Sequence, residues 1–201
     1  AGAISLTPST QAESRLFDTT AVQANMILAN GCLAWMSPME HPWFAFTQQS
    51  QKRNDDVRKW LAHCTETVRE AFANSSFYTA IHEFYLDRGA FGTGAIYCEP
   101  GKRGPLNVQC WPVGTFVIDE SDEGQIDTVI REFTLTPRQA AQKFGEAALS
   151  EKMRKALQEG GAKAVDPVKF LHFIMPRTER DMQKMDAQNM PIRSVYMEQD
   201  G

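Results

Sequence analysis

Residues 89 to 94, Gly-Ala-Phe-Gly-Thr-Gly, place three glycines within six positions, a spacing with which backbone N–H groups can close on a phosphate. Such loops work when they leave a strand and open a helix, because the positive N-terminal end of that helix then faces the anion. Here the order is reversed. Apolar periodicity predicts a helix running in from Phe77 and a strand running out from Ala95, so the helix end beside the glycines is its negative one. Gly89, Gly92 and Gly94 are therefore read as a structural junction that ends a helix and turns tightly into a sheet. The alternative is a nucleotide- or phosphate-binding α/β enzyme that uses the Gly89–Gly94 loop.

Other reactive side chains are present but scattered. His41, His63, His82 and His172 fall in no H-E-x-x-H pattern and beside no G-x-S-x-G elbow. His63 and Cys64 are neighbours on a predicted helix, where adjacent side chains diverge by about 100° and do not face one another. His172 shares a strand face with Val168, Phe170 and Ile174, which predicts a hydrogen-bonded core or interface histidine. Asp119, Glu120, Asp122, Glu123 and Asp127 miss the spacing of a calcium loop and suit a polar hairpin. Cys32, Cys64, Cys98 and Cys110 form no C-x-x-C pair and read as buried thiols in a reducing compartment. No catalytic residue, cofactor site or metal site is assigned on this basis.

Composition narrows the class further. The 201 residues are 42% hydrophobic and 23% charged, proportions of an ordinary globular protein with enough chain for a sizeable core. A formal charge of −4 lacks the basic excess that tight binding to nucleic-acid phosphates needs. Apolar runs such as 170–175 are far shorter than the ~20 residues of a membrane span. No export signal is apparent at residues 1–11.

The elements that hold these residues follow from hydrophobic period. Thr7 to Thr10 offer N-caps for a long helix with Phe17, Ala21, Ala24, Leu28, Cys32 and Trp35 as its apolar stripe, stopping near Ser37-Pro38. Pro42, Trp43 and Phe44 lie in an extended aromatic segment, an interface candidate whose more common fate is packing on the domain's own helices. Asn54-Asp55-Asp56 starts a second helix with Val57, Leu61, Cys64, Val68 and Phe72 in line, and Ser75-Ser76 starts a third. Their aromatics, Trp60, Phe72, Phe77, Tyr78, Phe84 and Tyr85, fit a core better than a base-stacking platform, which needs basic neighbours.

After Gly94 the period changes to two. Strands are predicted at 95–98, 106–110, 116–118, 125–135, 168–175 and 192–197, mostly antiparallel and joined by hairpins. Short helices follow Thr136-Pro137 and Ser150. The expected fold is α+β, a helical layer followed by a mostly antiparallel sheet with short inserted helices. The parts are 1–93, helical, and 94–201, rich in strands. Asp200-Gly201 directly after a strand is a hairpin signal, from which the chain is expected to be a fragment of something longer.

Taken in order, these words form a larger pattern. Leu16 to Thr20, Ala29-Asn30-Gly31, Pro42-Trp43-Phe44, Val57 to Leu61, Ser75 to Tyr78, Phe91-Gly92-Thr93-Gly94, Pro112 to Phe116, Asp122 to Val129, Arg131-Glu132-Phe133, Thr136 to Gln139 and Met175-Pro176-Arg177 keep one sequence from about residue 16 to 177. The chain resembles the N-terminal, wing-side half of head-to-tail connector (portal) proteins of short-tailed phages, ending before their stem. The resemblance implies a non-enzymatic subunit of a ring, usually of twelve copies, at a capsid vertex. Implied partners are other portal subunits, terminase, capsid and tail or adaptor proteins, and double-stranded DNA that passes without tight binding; no membrane or cofactor is implied. The implied location is the virion, with assembly in the bacterial cytoplasm, in a phage or a prophage.

Overall fold

A computed structural model describes residues 18–48, 54–102, 104–184 and 186–199. The fold is α+β, in two compact units that meet in sequence at Val113 and Gly114. Helix α1 spans Thr20–Met36, α2 Asp55–Ala73 and α3 Phe77–Phe91, followed by strands β1 (Ala95–Pro100) and β2 (Leu106–Trp111). The change from helix to strand at 93 to 94 thus falls inside the first unit, where the β1–β2 hairpin packs on α3.

Local chemistry explains these boundaries. Asn54 caps α2 by accepting the Asp56 N–H at 3.0 Å, and Asp55 and Asp56 set negative charge against the helix dipole. The Ser76 hydroxyl reaches across to β2 instead of capping α3. It donates to the Val108 carbonyl at 2.6 Å and accepts the Val108 N–H at 2.9 Å. Phe77, Ala80 and Val108 form the buried centre around that pair. The extended segment after Pro38 lies on the helices, since Thr65 accepts the Phe46 N–H at 3.1 Å while donating to Leu61.

Two expectations about helix faces need correction. The predicted stripe of α1 is largely its outer side: Ala21, Ala24, Leu28 and Trp35 are exposed, Trp35 at 87%. Its inner line is Asn25, Ala29, Leu33 and Ser37. A helix without a single charged residue has no polar face to betray which side is buried, so periodicity alone cannot choose. The part of the stripe at Phe17, and the caps at Thr7 to Thr10, lie outside the described residues. Trp60 was expected in the core and is 63% exposed, because the buried side of α2 runs through Leu61, Thr65, Val68 and Phe72.

The second unit contains β3 (Phe116–Glu120), β4 (Ile126–Leu135), α4 (Pro137–Phe144), α5 (Glu151–Glu159), β5 (Val168–Pro176) and β6 (Ile192–Glu198). The strands lie in the order β3-β4-β5-β6, all antiparallel, and β1–β2 is a separate two-stranded sheet where one continuous sheet was expected. Thr136 and Gln139 form a reciprocal capping box for α4, and Ser150 caps α5. The two helices cover one sheet face, burying Ala140, Leu149 and Met153 against Phe170, with Phe133 and Phe144 around them.

Met153 is 1% exposed, so Met153→Ala is expected to cost about 2–5 kcal/mol in urea denaturation. Trp60→Ala should stay within about 0.5 kcal/mol, as for other exposed sites. A larger loss at Trp60 than at Met153 would contradict this assignment of the core.

Candidate functional site

At the junction each glycine meets a different demand. A Cβ at Gly89 would collide with the Asn25 side-chain oxygen, where α1 crosses α3. Asn25 is held there by donating its amide to the Leu86 carbonyl at 2.9 Å. Gly92 ends α3 in the left-handed region, φ 76°, and its N–H donates to the Arg88 carbonyl at 3.0 Å. A Cβ at Gly94 would lie 2.8 Å from the Phe84 ring, closer than side chains tolerate. The Gly92 amide is therefore engaged in closing the helix, and the nearby carbonyls present negative dipoles to an approaching anion.

The aromatic segment faces inward. Trp43 stacks on Phe72 and Phe77 with ring centroids 6.3 and 6.1 Å away, and Phe72 and Phe77 stack at 4.0 Å. Phe44 packs on Trp43 and Phe72. Trp43 and Phe44 are half-buried, and Pro42 is the exposed member of the three. The segment thus supplies packing area within its own unit, as expected for aromatics.

Among the described residues, the histidines and cysteines are not assembled into a centre. His63 is exposed and Cys64 half-buried on adjacent helix positions. His82 meets Asn30 at 2.9 Å, joining α3 to α1. His172 is buried, meets Ser194 at 2.8 Å and stacks on Tyr196 with centroids 3.9 Å apart. Among the described residues no group of three or more His, Cys, Asp or Glu could hold a metal ion. A cavity of about 290 Å³ between α4, α5 and β5 is mixed in charge, and two of its lysines already pair with glutamates, Lys155 with Glu151 and Lys163 with Glu159.

All four cysteines are free, and Cys98 is exposed where a buried thiol was expected: it alternates outward on β1, the hairpin's first strand. Cys110 differs. Burial, then the charges of Asp87 and Glu83, push its thiol up to about 12, and its S–H donates to Asp87 at 3.8 Å.

What the sequence reading missed is the extent of uncovered apolar surface. On α1 the outer line is Ala24, Ile27, Leu28, Gly31 and Trp35. In the second unit, pairing aligns Val117, Ile130, Phe173 and Val195 across all four strands, with Leu171 beside Met197. This is the sheet face opposite α4 and α5. Val117, Val195 and Met197 are exposed. The complete lack of charge over α1 was the available signal.

Comparison with known proteins decides what kind of molecule carries these surfaces. Residues 5–201 match the family model described as bacteriophage head to tail connecting protein. The chain belongs to that family. It is 30% identical over 190 residues to a portal protein of Salmonella phage epsilon15, covering 94% of this chain and 34% of that protein. It is 31% identical over 187 residues to a probable portal protein of Bordetella phage BPP-1, covering 92% of this chain and 33% of that protein. The chain spans about a third of the length of these relatives. The connector resemblance read from the ordered words is thus the family of nearly the whole chain.

Two outcomes test this geometry. Gly89→Ala should destabilise this connector chain by about 1–3 kcal/mol through overpacking, whereas Gly31→Ala, with nothing within 4 Å of its Cβ, should stabilise α1 by about 0.5–1 kcal/mol. Equal effects in thermal unfolding would refute the close crossing. In alkylation with iodoacetamide near pH 8.5, Cys98 should react first and Cys110 resist. The raised folded pKa of Cys110 also contributes stability below the ordinary value of 9.0 that is lost as pH climbs toward 12.

Proposed function

We propose that the chain is the wing-side part of a portal subunit, a structural protein that forms a ring at the capsid vertex. The observation that carries this reading is the match to portal proteins over 94% of the chain. The ring, of about twelve copies as such connectors usually are, would surround double-stranded DNA during packaging and ejection, dock terminase and carry capsid and tail or adaptor proteins. Its place would be the virion, with assembly in the bacterial cytoplasm.

Physical features support a role through assembly. A net charge of −4 neutralises few phosphates, so DNA can slide past without a salt-dependent trap. Among the described residues no helix is long and apolar enough to cross a membrane, so the exposed apolar residues of α1 are suited to protein contacts. Gly89, Gly92 and Gly94 serve the shape of the subunit on this reading, and no catalytic step is assigned to them. On this reading Pro42, the exposed member of Pro42-Trp43-Phe44, would be the one available for contact.

The full-length protein is expected to give closed rings in negative-stain electron microscopy and a single high-mass species in native mass spectrometry. A uniformly monomeric full-length protein would overturn the proposal.

A further inference from the structure

His172 is 1% exposed, and an imidazole is the side chain whose charge ordinarily changes close to neutral pH. It stands at the middle of β5, on the sheet face that α4 and α5 cover. Strand β6 holds it through Ser194, 2.8 Å from Nε2, and through Tyr196, whose ring lies on the imidazole with centroids 3.9 Å apart. Strand β4 places Arg131 directly across from it, and residues so paired have Cβ atoms about 5 Å apart on one face.

The charges around it are unbalanced. The Arg131 guanidinium lies 5.2 Å over the Phe133 ring, and its partial burial lowers its pKa, an effect that Tyr196 opposes. Helix α4 adds Lys143, whose Nζ is 5.0 Å from the centre of the Tyr196 ring, while α5 contributes the apolar Met153 against Phe170. An acid, Glu198, stands on the same face opposite Phe170, and its buried Oε1 meets no donor among the described residues. A positive charge on His172 would be held out of water and set opposite a cation, and both effects favour the neutral ring. Like charges directly across a strand pair also weaken the pairing.

The smallest movement that brings this ring to water is the lifting of β6, the edge strand that carries both Ser194 and Tyr196. Edge elements open locally without loss of the whole fold. We propose that His172 makes the attachment of β6 acid-sensitive: the ring is neutral while the strand is in place and takes up one proton when the strand opens, so that lowering the pH favours the open form. The sign follows from linkage. The open state binds the additional proton, so the β6 pairing has its full stability above the ordinary histidine value of ~6.5 and loses it progressively as pH falls below that value. This device lies within one chain and does not depend on ring formation.

The test is hydrogen exchange of the full-length protein read by mass spectrometry. Corrected for the intrinsic pH dependence of exchange, protection of the 192–198 amides should fall about tenfold or more between about pH 7 and pH 5. His172→Gln, which keeps a polar group toward Ser194 but cannot titrate, should remove most of that fall. Exchange at the imidazole C2–H, followed in the 168–176 segment where His172 is the single histidine, should place its titration well below ~6.5. Arg131→Met should move that titration upward. A ring that titrates at or above ~6.5 in the native protein, or the same loss of β6 protection in His172→Gln, would overturn the proposal. If His172→Gln does not fold, the native titration and its displacement in Arg131→Met decide the matter, and an unmoved titration overturns the coupling to Arg131 on which the proposal stands.

Discussion

The first unit depends on how closely α1 can approach α3. Their crossing is set by Gly89, whose missing side chain leaves room for Asn25, and by the Asn25 amide bonded to the Leu86 carbonyl. Further along the same contact, the Ser37 and Tyr85 hydroxyls meet at 3.0 Å in a buried site, and Asn30 reaches His82. These are polar ties between two otherwise apolar surfaces, and they fix one register where hydrophobic contact alone would permit sliding. Helix α3 then holds the hairpin through Ser76 and Val108, and the aromatic stack through Phe77. Its glycine end turns the chain into β1 on the spot.

Seen from this crossing, the glycine-rich stretch is architecture. Gly92 closes α3, Gly94 clears the Phe84 ring and Gly89 admits α1. Three separate steric demands account for three glycines, so no ligand is needed to explain their spacing. His82, His172 and Cys110 are likewise engaged in hydrogen bonds of the fold itself. In this member of the head to tail connecting protein family, the three glycines serve the joint between α3 and the β1–β2 hairpin.

Much of this was legible from local signals. The caps at Asn54, Thr136 and Ser150, the strand periods and the antiparallel hairpins depend on residues close in sequence, and they appear where spacing put them. The helix-to-strand order around residues 89–94 was readable from the change of hydrophobic period. The inner face of α1 was not, since an uncharged helix offers no polar stripe to orient it, and its buried line turns on Asn25, a polar residue. Trp60 looked like core by spacing, but Thr65 takes the buried position next to the Phe46 backbone. Nor could the division into two sheets be read locally. It rests on the long-range bond between Ser76 and Val108, which commits the first hairpin to the helices. The uncovered sheet face emerged only from the register across four strands.

The central claim is that α3 is the fixed element on which the first unit is built. Native-state hydrogen exchange on the protein resolves this directly, because opening free energies rank the elements of a structure. Amides of 77–91 should be the most protected in residues 18–113, exchanging only with cooperative loss of α1 and the β1–β2 hairpin. If the α3 amides exchange through local opening while α1 and the hairpin remain protected, α3 is not the organising element and the account fails.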